Sequence, residues 1–107
     1  MSFKHLSCAQ LASWLSDSEN TVTVIDIRDQ MSFEQGHING AAHIDNSNVE
    51  HFIANTDLNK PLVVCCYHGN SSQGAADYFN AQGFKETFSL DGGFEEWRQI
   101  AATLTTD

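Results

Sequence analysis

The spacing of apolar residues changes in a regular way along this chain. Leu11, Trp14 and Leu15 recur at i, i+3 and i+4, which predicts one face of a helix. Ser7 and Gln10 form a capping box ahead of it, with Leu6 and Leu11 at the staple positions, so the helix begins at Ser7. After a polar turn from Asp17 to Thr21, the run Val22 to Ile27 reads as a strand interrupted by Asp26. Met31 to Gln35 gives one or two helical turns stopped by Gly36, and Ala42 to Ile44 a short strand. A second capping box, Ser47 and Glu50, opens a helix through Val49, Phe52 and Ile53. Leu62 to Cys65 is a continuous apolar run of the kind found in buried strands. Ala75, Ala76, Tyr78 and Phe79 predict a helix that Ser71 or Ser72 caps and that ends near Gly83. Thr87 to Leu90 is a further strand, and Phe94, Trp97 and Ile100 mark a last helix, with 102–107 frayed. Strands thus alternate with helices, which predicts an α/β domain with a mostly parallel sheet. No linker or repeat divides the chain, so residues 1–107 are read as one domain.

One junction in this pattern stands out chemically. The apolar run stops at Cys66, and Tyr67, His68, Gly69, Asn70, Ser71 and Ser72 follow. These are turn and cap residues, so the local reading is strand, tight loop, helix, with a cysteine opening the loop. A helix N-terminus leaves N–H groups unpaired and carries partial positive charge. Loop amides turned toward the same point would form an anion cradle, which favours a thiolate, the nucleophilic form of cysteine. In open α/β sheets, sites also lie at the carboxyl ends of strands. Cys65 is read differently, because strand alternation places it on the opposite face as a small buried hydrophobe. Cys8, in the first turn of a helix that no binding loop precedes, carries no role here. His37 is read as fixing a turn through its ring nitrogens. Asp26, a carboxylate at the end of an apolar strand, is either paired structurally or placed at a site, with Arg28 and the N-terminus of the following short helix as possible partners.

Composition narrows the function classes. Fourteen Asp and Glu against five Lys and Arg give a formal net charge of −9, which argues against nucleic acid as a partner. Any anion would have to be held by local backbone dipoles and not by the overall field. No run is long enough to span a membrane, and Met1 to His5 lacks signal-peptide character. Three cysteines is an odd count, which fits a reduced, cytoplasmic protein better than a disulfide scaffold. The histidines are scattered and Cys66-x-His68 supplies two ligands at most, so no metal or other cofactor is expected.

Three stretches resemble the rhodanese family of sulfurtransferases, in order and in spacing. Cys66-Tyr67-His68-Gly69-Asn70-Ser71 is similar to the family's six-residue active-site loop. Val24-Ile25-Asp26-Ile27-Arg28-Asp29, with Phe33, Gly36-His37-Ile38 and Gly40-Ala41, is similar to its N-terminal signature, and Leu90-Asp91-Gly92-Gly93-Phe94-Glu95-Glu96-Trp97 to its C-terminal one. The resemblance implies a rhodanese-like fold, a five-stranded sheet with helices on both faces. It implies a single-domain thiosulfate sulfurtransferase working by double displacement through a Cys66 persulfide. Tyr67, His68, Gly69, Asn70, Ser71 and Ser72 would bind substrate, with backbone N–H groups from Tyr67 to Ser72 around the outer sulfur. Cyanide or a thioredoxin-like dithiol protein would accept it. Many rhodaneses carry a basic residue in this loop; none is present here, which implies weak thiosulfate binding.

Other chemistries fit less well. Cysteine phosphatases and arsenate reductases need an arginine after five intervening residues, to grip the oxyanion with its planar fork. That position is Ser72, and the chain's two arginines, Arg28 and Arg98, lie outside the loop. The alternative kept beside catalysis is a sulfur-carrier or binding module that hands persulfide sulfur to a protein partner.

Overall fold

A computed structural model describes residues 3–105, with side chains to residue 101. The elements run β1 (Lys4–Leu6), α1 (Cys8–Ser16), β2 (Thr23–Asp26), α2 (Gln30–Gln35), β3 (Ala42–His43), α3 (Val49–Ala54), β4 (Leu62–Cys65), α4 (Ser71–Ala81), β5 (Thr87–Leu90) and α5 (Gly93–Thr105). The five strands form one sheet in the order β1-β5-β4-β2-β3, and every pairing is parallel. The fold is α/β with a wholly parallel sheet, as the alternation of elements predicts.

The sheet is buried on both faces, and β4 shows how. Val63 and Cys65 join the core with Leu6, Leu11, Val24, Phe88 and Leu90, against which Trp14 of α1 and Trp97 and Ile100 of α5 pack. Leu62 and Val64 turn to the other face with Ile25, Ala76, Phe79 and Phe84, covered by Val49, Phe52 and Ile53 of α3. This is the period-two alternation of a strand with helices above and below. A continuous apolar run is therefore the right sequence for β4, the middle strand. The register sets Asp26 opposite Cys65, so the carboxyl ends of β2 and β4 lie side by side.

Local signals behave unevenly. Ser7 caps α1 as expected, its Oγ accepting from the N–H of Gln10 at 3.1 Å. Gly83 follows the C-cap of α4 with φ 113°, in the left-handed region where glycine is favoured. The Ser47–Glu50 capping box does not form. Asn48 is the N-cap, and its side chain is engaged elsewhere, accepting from Asp45 N and donating to the carbonyl of His43. Ser47 donates through both its N–H and its hydroxyl to Asp45. Neither Ser71 nor Ser72 caps α4; Asn70 holds that position without a side-chain bond. Strand β1 is absent from the reading of apolar spacing. It is a three-residue edge strand with only Leu6 buried, too short to show a period.

Candidate active site

Cys66 lies one residue beyond β4, and its residue surface is only 4% exposed. The chain turns back through Gly69, at φ 92°, and enters α4 at Ser71. Two amides converge on the sulfur: Gly69 N at 3.2 Å and Ser72 N at 3.3 Å from Sγ. This explains why no side chain caps α4. The Ser72 N–H, in the first turn of the helix, points at a sulfur atom in place of a cap oxygen.

Burial pushes the Cys66 thiol up, as it does any group that must ionise inside. The Ser72 hydroxyl and amide, with the amides of Gly69 and His68, outweigh that, and the thiol falls below its ordinary value. The other two cysteines go the opposite way. Burial pushes Cys8 up to about 12, with the Glu96 and Asp91 carboxylates adding to it, and its thiol lies 3.4 Å from the Asp91 carbonyl. Cys65 is also raised, first by burial and then by Asp26, and donates to the Cys66 carbonyl at 3.5 Å. Of the three free cysteines, Cys66 alone has its thiol lowered.

The loop is held from behind by α5. Phe94 N donates to the Cys66 carbonyl at 2.8 Å, and Glu95 N to the Tyr67 carbonyl at 3.1 Å. The approach is so close that a Cβ on Gly93 would stand 2.5 Å from both carbonyl oxygens. A Cβ on Gly69 would stand 2.9 Å from Gly92 N. Glycine is required at both places by contact as well as by positive φ.

The expected loop residues fall into three groups. Gly69 and Ser72 are buried and turn toward the sulfur. His68, Asn70 and Ser71 are exposed around the mouth of the loop. Tyr67 turns away. Its hydroxyl lies 2.6 Å from Ser32 Oγ and bonds the Asp29 carboxylate, which also caps α2. Asp29 is held down at about 2, first by Tyr67 and then by Ser32. Spacing alone did not reveal Ser89 and Gln73. Ser72 Oγ is 2.7 Å from Ser89 Oγ, both fully buried, and Gln73 Nε2 donates to the Gly69 carbonyl at 3.0 Å. A serine in the apolar face of β5 is the signal that could have pointed to the first.

The pair near the chemistry is a buried fork. Arg28 Nε lies 3.0 Å from both Asp26 oxygens and Nη2 2.7 Å from Oδ2, while Nη2 also donates to the Gly36 carbonyl. The guanidinium lies 4.2 Å from the centre of the Phe94 ring, next to the amide that holds Cys66. His37 fixes its turn as expected: Nδ1 is 2.7 Å from the Phe33 carbonyl, and its ring stacks on Phe33.

Known proteins share this architecture. The S. aureus Rhodanese-like Domain Protein superposes with a TM-score of 0.78 over 89% of this chain and 91% of that one, at 22% identity, a likeness of fold. A protein of Pseudomonas aeruginosa named Thiosulfate sulfurtransferase GlpE is 62% identical over 82 residues, covering 77% of this chain and 74% of the relative. One of the same name from Shewanella oneidensis is 50% identical over 101 residues, covering 94% and 98%. The family described as Rhodanese-like domain matches residues 7–100, across all three signature stretches. With that match and these relatives, the chain belongs to the rhodanese family.

Proposed function

We propose that this protein is a thiosulfate sulfurtransferase with Cys66 as its covalent residue. The Cys66 thiolate attacks the outer sulfur of thiosulfate. The sulfur–sulfur bond of the donor breaks and its electron pair leaves with sulfite. Cys66 then carries a persulfide whose outer sulfur the next nucleophile attacks. Cyanide takes it as thiocyanate and the Cys66 thiolate returns. A dithiol protein takes it as its own persulfide, which its second thiol resolves to a disulfide with release of sulfide. Each half-reaction restores the charge that the amide cradle is built to hold, so ping-pong kinetics follow.

The observation that carries this reading is the divergence of the three thiols: two amides at 3.2 and 3.3 Å aim at Cys66 Sγ, while burial raises Cys8 and Cys65. His68, Asn70 and Ser71 ring the mouth and would meet the sulfonate oxygens. Gly69 and Ser72 hold the sulfur, and Tyr67 anchors the loop to α2. The phosphatase alternative lacks its arginine: Ser72 occupies that position and is committed to Cys66 and Ser89. Three free thiols suit a reducing compartment, and we assign the cytoplasm. No helix among the described residues is long and apolar enough to cross a membrane.

The test is an intact mass after incubation with thiosulfate and no reductant, for wild type, Cys66→Ser and Cys65→Ser. One added sulfur in wild type and Cys65→Ser, absent in Cys66→Ser and removed by cyanide as thiocyanate, is the expected result. Loss of the adduct in Cys65→Ser alone would move the nucleophile. No adduct from thiosulfate or any other sulfane donor would favour the binding-module alternative.

A further inference from the structure

A cavity of about 440 Å3 lies between α2 and α5, against the loop that opens with Cys66. Ser32 and Gln35, three apart on α2, line one side, and Phe94 and Arg98, four apart on α5, the other. Tyr67, the residue after Cys66, is part of the wall, and so is Arg28. The Arg28 guanidinium lies 4.2 Å from the centre of the Phe94 ring and 5.7 Å from that of Tyr67. Phe94 in turn donates its N–H to the Cys66 carbonyl at 2.8 Å, so the cavity adjoins the loop through two of its lining residues.

The donors that face this space are not all used. The Arg28 side chain is only 5% exposed, and its Nε and Nη2 bond Asp26 and the Gly36 carbonyl. Its Nη1 has no hydrogen-bond partner among the described residues. Among those residues no side-chain nitrogen or oxygen is both fully enclosed and unpaired, so Nη1 reaches open space, and Arg28 lines this cavity. Arg98 repeats the pattern at the surface. Its Nε and Nη2 bond Glu95 Oε2, and its Nη1 has no partner among the described residues. The side-chain amide of Gln35 has none there either. Two carboxylates stand close, Asp26 at Arg28 and Glu95 at Arg98, and each is paired with its arginine. What these pairs leave over is guanidinium N–H, which matches a carboxylate in shape and charge. With a net charge of −9 the overall field repels an anion, so short-range donors of this kind have to hold it. The loop from Cys66 to Ser72 has no basic residue to do so. Thiosulfate is compact and does not need a cavity of this volume; a donor with an organic chain can use it.

We propose that this cavity is a subsite for the carboxylate tail of an organic sulfane donor, held by Nη1 of Arg28 and Arg98 and by the Gln35 amide while the donor's outer sulfur meets Cys66. For a thiosulfonate, the Cys66 thiolate attacks the outer sulfur, the donor's sulfur–sulfur bond breaks, and its electron pair leaves with the sulfinate. The inference rests on sulfur transfer through Cys66.

The experiment uses alkyl thiosulfonates whose chains end in a carboxylate or in a carboxamide of the same length, over a series of spacer lengths. Cyanide is the acceptor, and thiocyanate release is the readout. At the spacer length that fits, the wild-type KM for the carboxylate should lie about tenfold below that for the carboxamide, the scale of one hydrogen bond to a charged group. Arg98→Gln and Gln35→Leu should each reduce that preference and leave KM for thiosulfate and for the carboxamide unchanged. Glu95→Gln, which removes the competing carboxylate, should enlarge it. No carboxylate preference at any length would overturn the subsite and leave the sulfur chemistry standing. A preference undiminished in both Arg98→Gln and Gln35→Leu would place the tail elsewhere and overturn it as well. No thiocyanate from thiosulfate or from any thiosulfonate would overturn sulfur transfer, and the subsite with it.

Discussion

Replacing Ser72 with alanine tests the electrostatic account of Cys66 most directly. The substitution keeps the Ser72 amide, 3.3 Å from the sulfur, and removes only the hydroxyl. That hydroxyl is fully buried and lies 2.7 Å from Ser89 Oγ. Ser72 Oγ pairs with Ser89 Oγ, and the Ser72 hydroxyl is also the leading group that lowers the Cys66 thiol against burial. A hydrogen bond to a charged group contributes about 1.5–3 kcal/mol. At about 1.4 kcal/mol per tenfold, its loss should raise the Cys66 pKa and cut the thiolate population at neutral pH by about ten- to a hundredfold. The assay is the rate of iodoacetamide alkylation against pH, with the modified cysteine identified by peptide mass. The midpoint should move up, and alkylation at neutral pH should slow about ten- to a hundredfold if thiolate population alone controls it. Ser72→Ala should also destabilise the fold by about 1–3 kcal/mol, because Ser89 is left with an unpaired buried hydroxyl. Ser72→Ala with Ser89→Ala should recover much of that stability and none of the thiolate. An unchanged midpoint in the single variant would refute the hydroxyl's role and leave the amides as the whole cradle.

Three further outcomes follow from the same geometry. Gly93→Ala puts a Cβ 2.5 Å from the Cys66 and Tyr67 carbonyls at φ +59°, so it should cost about 1–2 kcal/mol from backbone conformation alone and more from the clash, read by thermal melting together with a large fall in transfer rate. Arg28→Met leaves Asp26 buried without its fork and should destabilise by about 3–5 kcal/mol in denaturant titration, although neither side chain reaches the cradle. The folded Cys66 value lies below its unfolded one, so its contribution to stability is present above the unfolded value and is lost as pH falls through the folded value. The stability gap between wild type and Cys66→Ser should therefore widen as pH rises across the neutral-to-alkaline range, and a gap that narrows would reverse the sign of the shift.

The sequence by itself determined the helices, the strands β2, β3, β4 and β5, and the junction at Cys66. These depend on neighbours along the chain. An apolar run ending at a cysteine and followed by turn residues carries its own instruction, and β4 is apolar throughout because its residues alternate between the two cores. Strand β1 was invisible because an edge strand needs one buried residue, and Leu6 alone has no period. The capping signals at Ser47 and at Ser71 or Ser72 misled because they assume that a side chain has no better partner. Asp45 takes the Ser47 hydroxyl, and the sulfur takes the Ser72 amide that a cap would have bonded. What tertiary structure alone decided is the chemistry of the site. Ser89 reaches Ser72 across 17 positions, and the α5 amides of Phe94 and Glu95 clamp a loop nearly thirty positions earlier. Whether a thiol ionises depends on how deeply it is buried and how many donors face it, and both are set by segments that only the closed sheet brings together.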